Sequence, residues 1–191
     1  MKIDLNVDIG EGFAFDEALM DIATSVNICC GEHAGSLELT KQTIALAKEK
    51  GLRVGVHPGF PDRENMGRKN PPESQEWFDS LVKQVEIFIN LEYPSYIKPH
   101  GAFYNLLNPP IETKLQEMAI QTLEKILELT PIPVMLLGTV SHNFSNVIRE
   151  GFADRTYLPN GHLTPRSQPN SQLTKPDDVR KQVRELAPKV D

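Results

Sequence analysis

Strand-like and helix-like segments alternate six times along the chain, and this alternation narrows the fold more than any other feature. Extended stretches are predicted at residues 1–9, 25–29, 52–56, 95–98, 132–137 and 152–157. Helices are predicted at 16–22, 37–50, from Ser74 onward, and at 111–129, 143–150 and 177–186. Ser36 is a good N-cap for the second helix and Gly51 a good terminator. Trp77, Leu81, Val85 and Phe88 share one face of the third. Such alternation predicts an α/β fold, a parallel sheet with right-handed crossovers, in one domain over residues 1–191. Ligands in these folds bind beyond the carboxyl ends of the strands.

Four of the predicted strands end in polar residues and glycine. The fourth runs into Lys98-Pro99-His100-Gly101-Ala102-Phe103-Tyr104-Asn105. Two side chains one residue apart in extended backbone point to the same side, so Lys98 and His100 are paired in direction. Both are poor core material without partners, and both suit the mouth of a pocket. His100 titrates near neutrality and Lys98 can stabilise developing negative charge.

Asp8 and Glu11 flank Gly10 after the first strand. They can act as general base and as a hydrogen-bond or metal anchor; ordinary turn chemistry, with Asp8 bonding the backbone of Gly10, is the alternative. Asn27 precedes a loop in which His33 lies between Gly31 and Gly35, able to reach a ligand or simply solvated. His57, before Pro58-Gly59, points either into a central cavity or into the core against a carbonyl. Asp154-Arg155 reads as a site pair or a plain ion pair. Arg166 reads as a surface residue unless its loop folds over, Glu32 and Glu38 as exposed acids, and His142 and His162 have no partner motif.

Asp8, His33, His57 and His100 are the right residue types for zinc or a similar ion, but no His-x-x-x-His pair occurs and the ligands are scattered. A divalent metal is therefore left open. There is no P-loop and no nucleophile elbow. Adjacent Cys29 and Cys30 are expected to be reduced strand residues, since a bridge between neighbours is strained.

A net charge of −6 without a basic run argues against nucleic acid, whereas a small anion needs only a local cluster such as Lys98, Arg68 and Arg155. No apolar stretch approaches a membrane span, and the Asp-bearing start does not resemble a signal peptide. A cytoplasmic location is expected. The Pro- and Gly-rich stretch 58–72 is longer than most connections and reads as a functional or mobile loop.

Residues Lys2 to Asn6 with Asp8 and Gly10-Glu11-Gly12, Cys30-Gly31 with His33-Ala34-Gly35, and His57-Pro58-Gly59 with Pro61-Asp62 occur in order. With Lys98 to Asn105 and Phe152 to Arg155, they resemble the LamB/YcsF family. The resemblance implies a glycoside hydrolase/deacetylase-type β/α barrel. It also implies ATP-dependent opening of the lactam 5-oxoproline to glutamate, with partner subunits B and C of a 5-oxoprolinase. The polar positions it carries over are Asp8, Glu11, Asn27, His33, His57, Lys98, His100, Asn105, Asp154 and Arg155. Asp8, Glu11, His33, His57, Lys98 and His100 are the expected catalytic group; Asn27, Arg68, Asn105, Asp154 and Arg155 are the expected substrate contacts.

Three departures stand out. Glu32 replaces an aromatic residue beside the histidine, Met66-Gly67-Arg68-Lys69 alters a glycine-arginine loop, and the chain ends at Asp191 where relatives continue into a further strand. The expectation is an incomplete seven-stranded barrel whose gap is covered by the last helix or by a neighbouring chain, as in a homo-oligomer. Two other functions remain open. One is a metal-dependent amide or acetyl hydrolase of the same fold; the other is a non-catalytic paralogue that binds a small acid.

Overall fold

The computed structural model describes residues 3–190. Its elements are β1 (Asn6–Ile9), α1 (Asp16–Met20), β2 (Ser25–Cys29), α2 (Leu37–Glu49), β3 (Arg53–His57), a 3-10 turn (Arg63–Asn65), α3 (Gln75–Leu91), β4 (Tyr96–Ile97), α4 (Gly101–Leu106), α5 (Lys114–Leu129), β5 (Val134–Leu137), β6 (Val147–Glu150) and α6 (Pro176–Val190). The strands are ordered β1-β2-β3-β4-β5-β6. The chain forms two compact units, with the boundary between Val134 and Met135, inside β5.

In the first unit, β1 to β4 pair parallel in chain order, with Asp8 opposite Asn27, Asn27 opposite Gly55 and Gly55 opposite Tyr96; Ile97 then pairs with Val134. Parallel neighbours in chain order, joined by helices, form the wall of a β/α barrel. Because β2 and β3 are covered on both faces, they read as nearly continuous apolar runs: Val26, Ile28, Val54 and Val56 are buried. Outside them, α3 supplies buried Phe78, Leu81, Val85 and Phe88, and α5 supplies Ala119, Leu123 and Ile126. The side chain of Ser36 caps α2, accepting from Leu39 N at 3.1 Å, and Thr113 with Gln116 closes a capping box on α5.

One close approach fixes the sheet beneath the strand ends. The Tyr96 ring is fully buried, and its hydroxyl accepts from Asn6 Nδ2 at 2.8 Å and donates to Val26 O at 3.0 Å. The ring lies over Gly55, where an added Cβ would fall 2.2 Å from Tyr96 Cε2. Glycine is therefore required there for space rather than for backbone freedom.

Several sequence expectations need correction. The first strand, expected from residue 1, starts at Asn6, and Ile3 and Leu5 before it are exposed; Met1 and Lys2 lie outside the described residues. Among these residues β2 is the sole strand paired with β1, so its early residues have little to pack against. Asp16 is the first residue of α1, and its Oδ2 accepts from Gly10 N at 2.8 Å.

In the second unit, the helix expected at 143–150 is absent and Val147–Glu150 is a strand. Gly138 N donates to Glu150 O at 2.8 Å, and Val147-Ile148 favour extended backbone over a short, weakly capped helix. The strand expected at 152–157 is replaced by local antiparallel bridges, Arg155 with Gln172 and Tyr157 with Leu163. Its backbone is satisfied by its own downstream loop: Leu173 N donates to Asp154 O and Thr156 N to Ser171 O. No described helix is long and apolar enough to cross a membrane.

Candidate active site

β1 carries Asp8 to the end of the sheet with 40% of its side chain exposed. Asn27 on β2, fully buried, donates to Asp8 Oδ1 at 2.6 Å. Beyond β1, Gly10 turns the chain so that Glu11 points back over the strand ends, its side chain only 8% exposed. The loop after β2 presses against this turn: Gly35 has φ +59°, and a Cβ there would fall 2.2 Å from Gly10 O. Only glycine satisfies both the backbone angle and the contact. This closeness sets His33 Nε2 3.4 Å from Glu11 Oε1.

The ends of β3 and β4 complete the group. Lys98 N donates to Val56 O and His100 N to Pro58 O, both at 2.9 Å, so the extended backbone continues past Ile97 even though the strand proper ends there. Pro99, which has no donor, falls between them. His33, His57, Lys98 and His100 are all buried. His33 and His100 stack with centroids 3.9 Å apart, and His57 stands perpendicular to both. The Lys98 ammonium lies 5.6 Å over the Tyr104 ring.

Hydrogen bonds to carbonyls select the tautomers. His57 Nδ1 lies 2.5 Å from Lys98 O and His100 Nε2 lies 2.8 Å from Met66 O. A carbonyl only accepts, so both of these nitrogens carry the proton. The remaining nitrogens, His57 Nε2 and His100 Nδ1, face each other at 2.9 Å. Glu11 Oε1 is 3.6 Å from His100 Nδ1, and Asp8 Oδ1 is 3.5 Å from His57 Nε2.

The electrostatics follow from burial and neighbours. Burial pushes the Asp8 carboxyl up, but the charges of His57 and Lys98, the Asn27 hydrogen bond and His100 together hold it well below the usual carboxylate range. Burial raises Glu11. Burial pushes His33 and His100 down to about 4, and holds His57 well below its ordinary value. With His57 neutral at pH 7, the groups that keep Asp8 ionised there are Lys98 and Asn27.

Neutral buried imidazoles carry a stability signature. Unfolded, they titrate near 6.5; folded, His33 and His100 titrate near 4. Between those values the unfolded chain binds more protons, so stability is full above about pH 6.5 and falls as pH drops toward 4. Each proton taken up first by the unfolded chain costs about 1.4 kcal/mol per pH unit. Thermal melts from pH 7.5 to 4.5, run with a chelator, should show Tm falling over this window. A flat profile would show that the imidazoles are not buried neutral.

Four candidate residues remain. Arg68 is exposed but its charge reaches Glu11 and His33, which places it at the rim. Asn105 is exposed on α4 and has no hydrogen bond to the cluster. Asp154 and Arg155 belong to the second unit. Asp154 is exposed; Arg155 is buried and directs Nε to Ser171 O at 3.1 Å and Nη2 to Thr164 O at 2.6 Å, bracing its own loop. That unit has a cavity lined by Thr139, Tyr157, Asn160 and Gln182, and no candidate residue lines it. Cys29 and Cys30 are free thiols, as expected, and burial pushes Cys29 up to about 12.

Two positioning residues carry no motif in the sequence. Arg63 clamps the His33 loop through Gly31 O at 2.8 Å and Gly35 O at 2.7 Å. Buried Gln84 on α3 holds Gly59 from both sides, accepting from its N–H at 3.1 Å and donating to its C=O at 2.9 Å. A Cβ on Gly59 would fall 2.5 Å from His33 Nδ1, so Gln84 indirectly seats His33. Gln84→Ala strands two buried backbone groups, with an expected loss of about 2 kcal/mol measured by chemical denaturation. A loss below about 0.5 kcal/mol would show that the clamp is not needed.

The parallel sheet and the polar cluster at its strand ends define a β/α-barrel protein with a strand-end site. The LamB/YcsF family model matches residues 3–190, and the chain belongs to that family. A Haemophilus influenzae protein named as the A subunit of 5-oxoprolinase is 38% identical over 198 residues, covering 98% of this chain and 80% of the relative. A protein of the same name from Neisseria meningitidis is 33% identical, covering 97% and 79%. The crystal structure of the lactam utilization protein from Thermus thermophilus superposes with a TM-score of 0.79 at 28% identity, covering 97% of this chain and 81% of that one. The expected fold class stands on that match.

Proposed function

We propose that this chain is the A-type subunit of an ATP-dependent 5-oxoprolinase, opening 5-oxoproline to glutamate together with partner subunits B and C. The observation that carries the reading is a 38% identity, over 98% of the chain, to a protein named as the A subunit of 5-oxoprolinase. The joining of Asp8, Lys98 and the histidines in one cluster supports it.

A lactam carbonyl is a poor electrophile. Transfer of the γ-phosphoryl group of ATP to its oxygen, with ADP leaving, makes the ring carbon easier to attack. Water then adds to that carbon and gives up a proton, the C–N bond breaks, and the nitrogen takes a proton to become the glutamate amine. The acyl phosphate left behind is hydrolysed by a second water to carboxylate and phosphate. Asp8 orients the first water and accepts its proton; the prior phosphorylation makes a weak base sufficient. Lys98 offsets charge on the lactam oxygen and the transferred phosphoryl group, and Arg68 at the rim holds the substrate carboxylate.

The test is an assay for glutamate from 5-oxoproline and ATP, with and without the two partners. Turnover only with ATP and both partners is expected. Its absence in the complete mixture would remove the reading.

A further inference from the structure

We infer that Glu11, His33, His57 and His100 form a binding site for one first-row divalent transition metal ion. The site rests on donor geometry alone and stands whether or not the lactam reading holds. One donor atom from each of the four residues lies within 4.8 Å of the others. The sequence offered Asp8 as the acid of such a set; in the structure the acid is Glu11.

The hydrogen bonds described above leave His57 and His100 facing each other with lone pairs and no proton between them. Lys98 O and Met66 O fix the protons of His57 and His100 on their outer nitrogens. The inner nitrogens therefore meet lone pair to lone pair at 2.9 Å. On the other side His33 Nε2 and Glu11 Oε1, both buried, have no hydrogen-bond partner. Cys29 Sγ, 3.9 Å from His33 Nδ1, is a weak acceptor that suits a proton on that nitrogen and leaves Nε2 bare. Four inward acceptors shielded from bulk solvent repel one another, and a cation at their centre resolves the repulsion.

The surroundings are those of a metal site. Metal-bound imidazoles characteristically donate their second N–H to a carbonyl or carboxylate, as His57 and His100 do. Gln84 and Arg63 hold the backbone that seats His33. The 2.9 Å spacing of the inner nitrogens also suggests a geometry. Metal–nitrogen bonds of about 2.0–2.1 Å at a right angle put two nitrogens about 2.9 Å apart, while a tetrahedral angle puts them about 3.3 Å apart. A five- or six-coordinate ion fits better than a closed tetrahedral one, leaving positions for water or substrate. Imidazole and carboxylate together suit cobalt, nickel, iron or zinc over calcium or magnesium.

The test uses the full chain, freed of metal by chelator and titrated with cobalt(II) alone. One equivalent should bind, with a visible d–d absorption band and a rise in Tm, and zinc should displace it. His100→Gln and Glu11→Gln should each weaken binding by more than the roughly 10- to 100-fold that loss of an outer-shell partner costs. His162→Gln, outside the cluster, should leave it unchanged. Should a variant fail to fold, histidine nitrogen NMR of the unaltered chain decides: the inner nitrogens of His57 and His100 should shift on zinc addition. Absence of saturable cobalt binding, or binding equal in the His100→Gln and Glu11→Gln proteins to that of the unaltered chain, would overturn the site. So would NMR showing a proton shared between His57 and His100 that zinc does not displace.

Discussion

Asp8→Asn is expected to lower ATP-dependent glutamate release, with both partners present, by roughly 100- to 10,000-fold. The substitution is nearly isosteric, and the amide oxygen can still accept the Asn27 hydrogen bond found at 2.6 Å. Asp8 is partly exposed, so the fold should be little affected. What disappears is a charge. Asp8 stays ionised through the physiological range because Lys98 and Asn27 favour the carboxylate, and the neutral amide cannot take a proton from water. The loss should therefore appear in kcat with KM nearly unchanged, measured as glutamate formed. Unchanged turnover would remove Asp8 from the chemistry.

The second large effect is on folding. Gly55→Ala is expected to destabilise the chain by about 3 kcal/mol, since a Cβ 2.2 Å from the Tyr96 ring cannot be accommodated without moving the ring or the strand. The ring cannot swing freely, because its hydroxyl is held between Asn6 and Val26. At the usual scaling for a chain of this length, the loss corresponds to a fall in Tm of roughly 6–12 °C. The same strands position Asp8, Asn27 and His57, so activity should fall along with stability. A melt within about 1 °C of the unaltered protein would show that the approach is looser than the structure indicates.

Period-two alternation and terminal glycines are local signals, and from them Asp8, Glu11, Asn27, His33, His57, Lys98 and His100 could be assigned to strand ends, where the structure brings them together. Tyr96–Ile97 and the turn into Lys98 and His100 follow from them directly. What stayed hidden depends on contacts distant in sequence. That Glu11 rather than Asp8 closes the histidine cluster follows from the Gly10 turn meeting Gly35. Gln84, a polar residue on an apolar helix face, was a usable signal, because a buried amide needs partners. Arg63 gave none. The bracing of its own loop by Arg155, through Ser171 O and Thr164 O, is likewise invisible in its charge. The 143–157 region was misread because short segments there lack both a full helical period and clear alternation.

A crystal structure of the chain soaked with 5-oxoproline tests the central claim most directly: that the strand-end cluster receives one small lactam. The lactam is expected at the ends of β1 and β4, within hydrogen-bond reach of Asp8 and Lys98, its carboxylate toward Arg68. A lactam bound instead in the second unit's cavity beside Thr139 and Gln182, with the strand-end cluster untouched, would contradict the account.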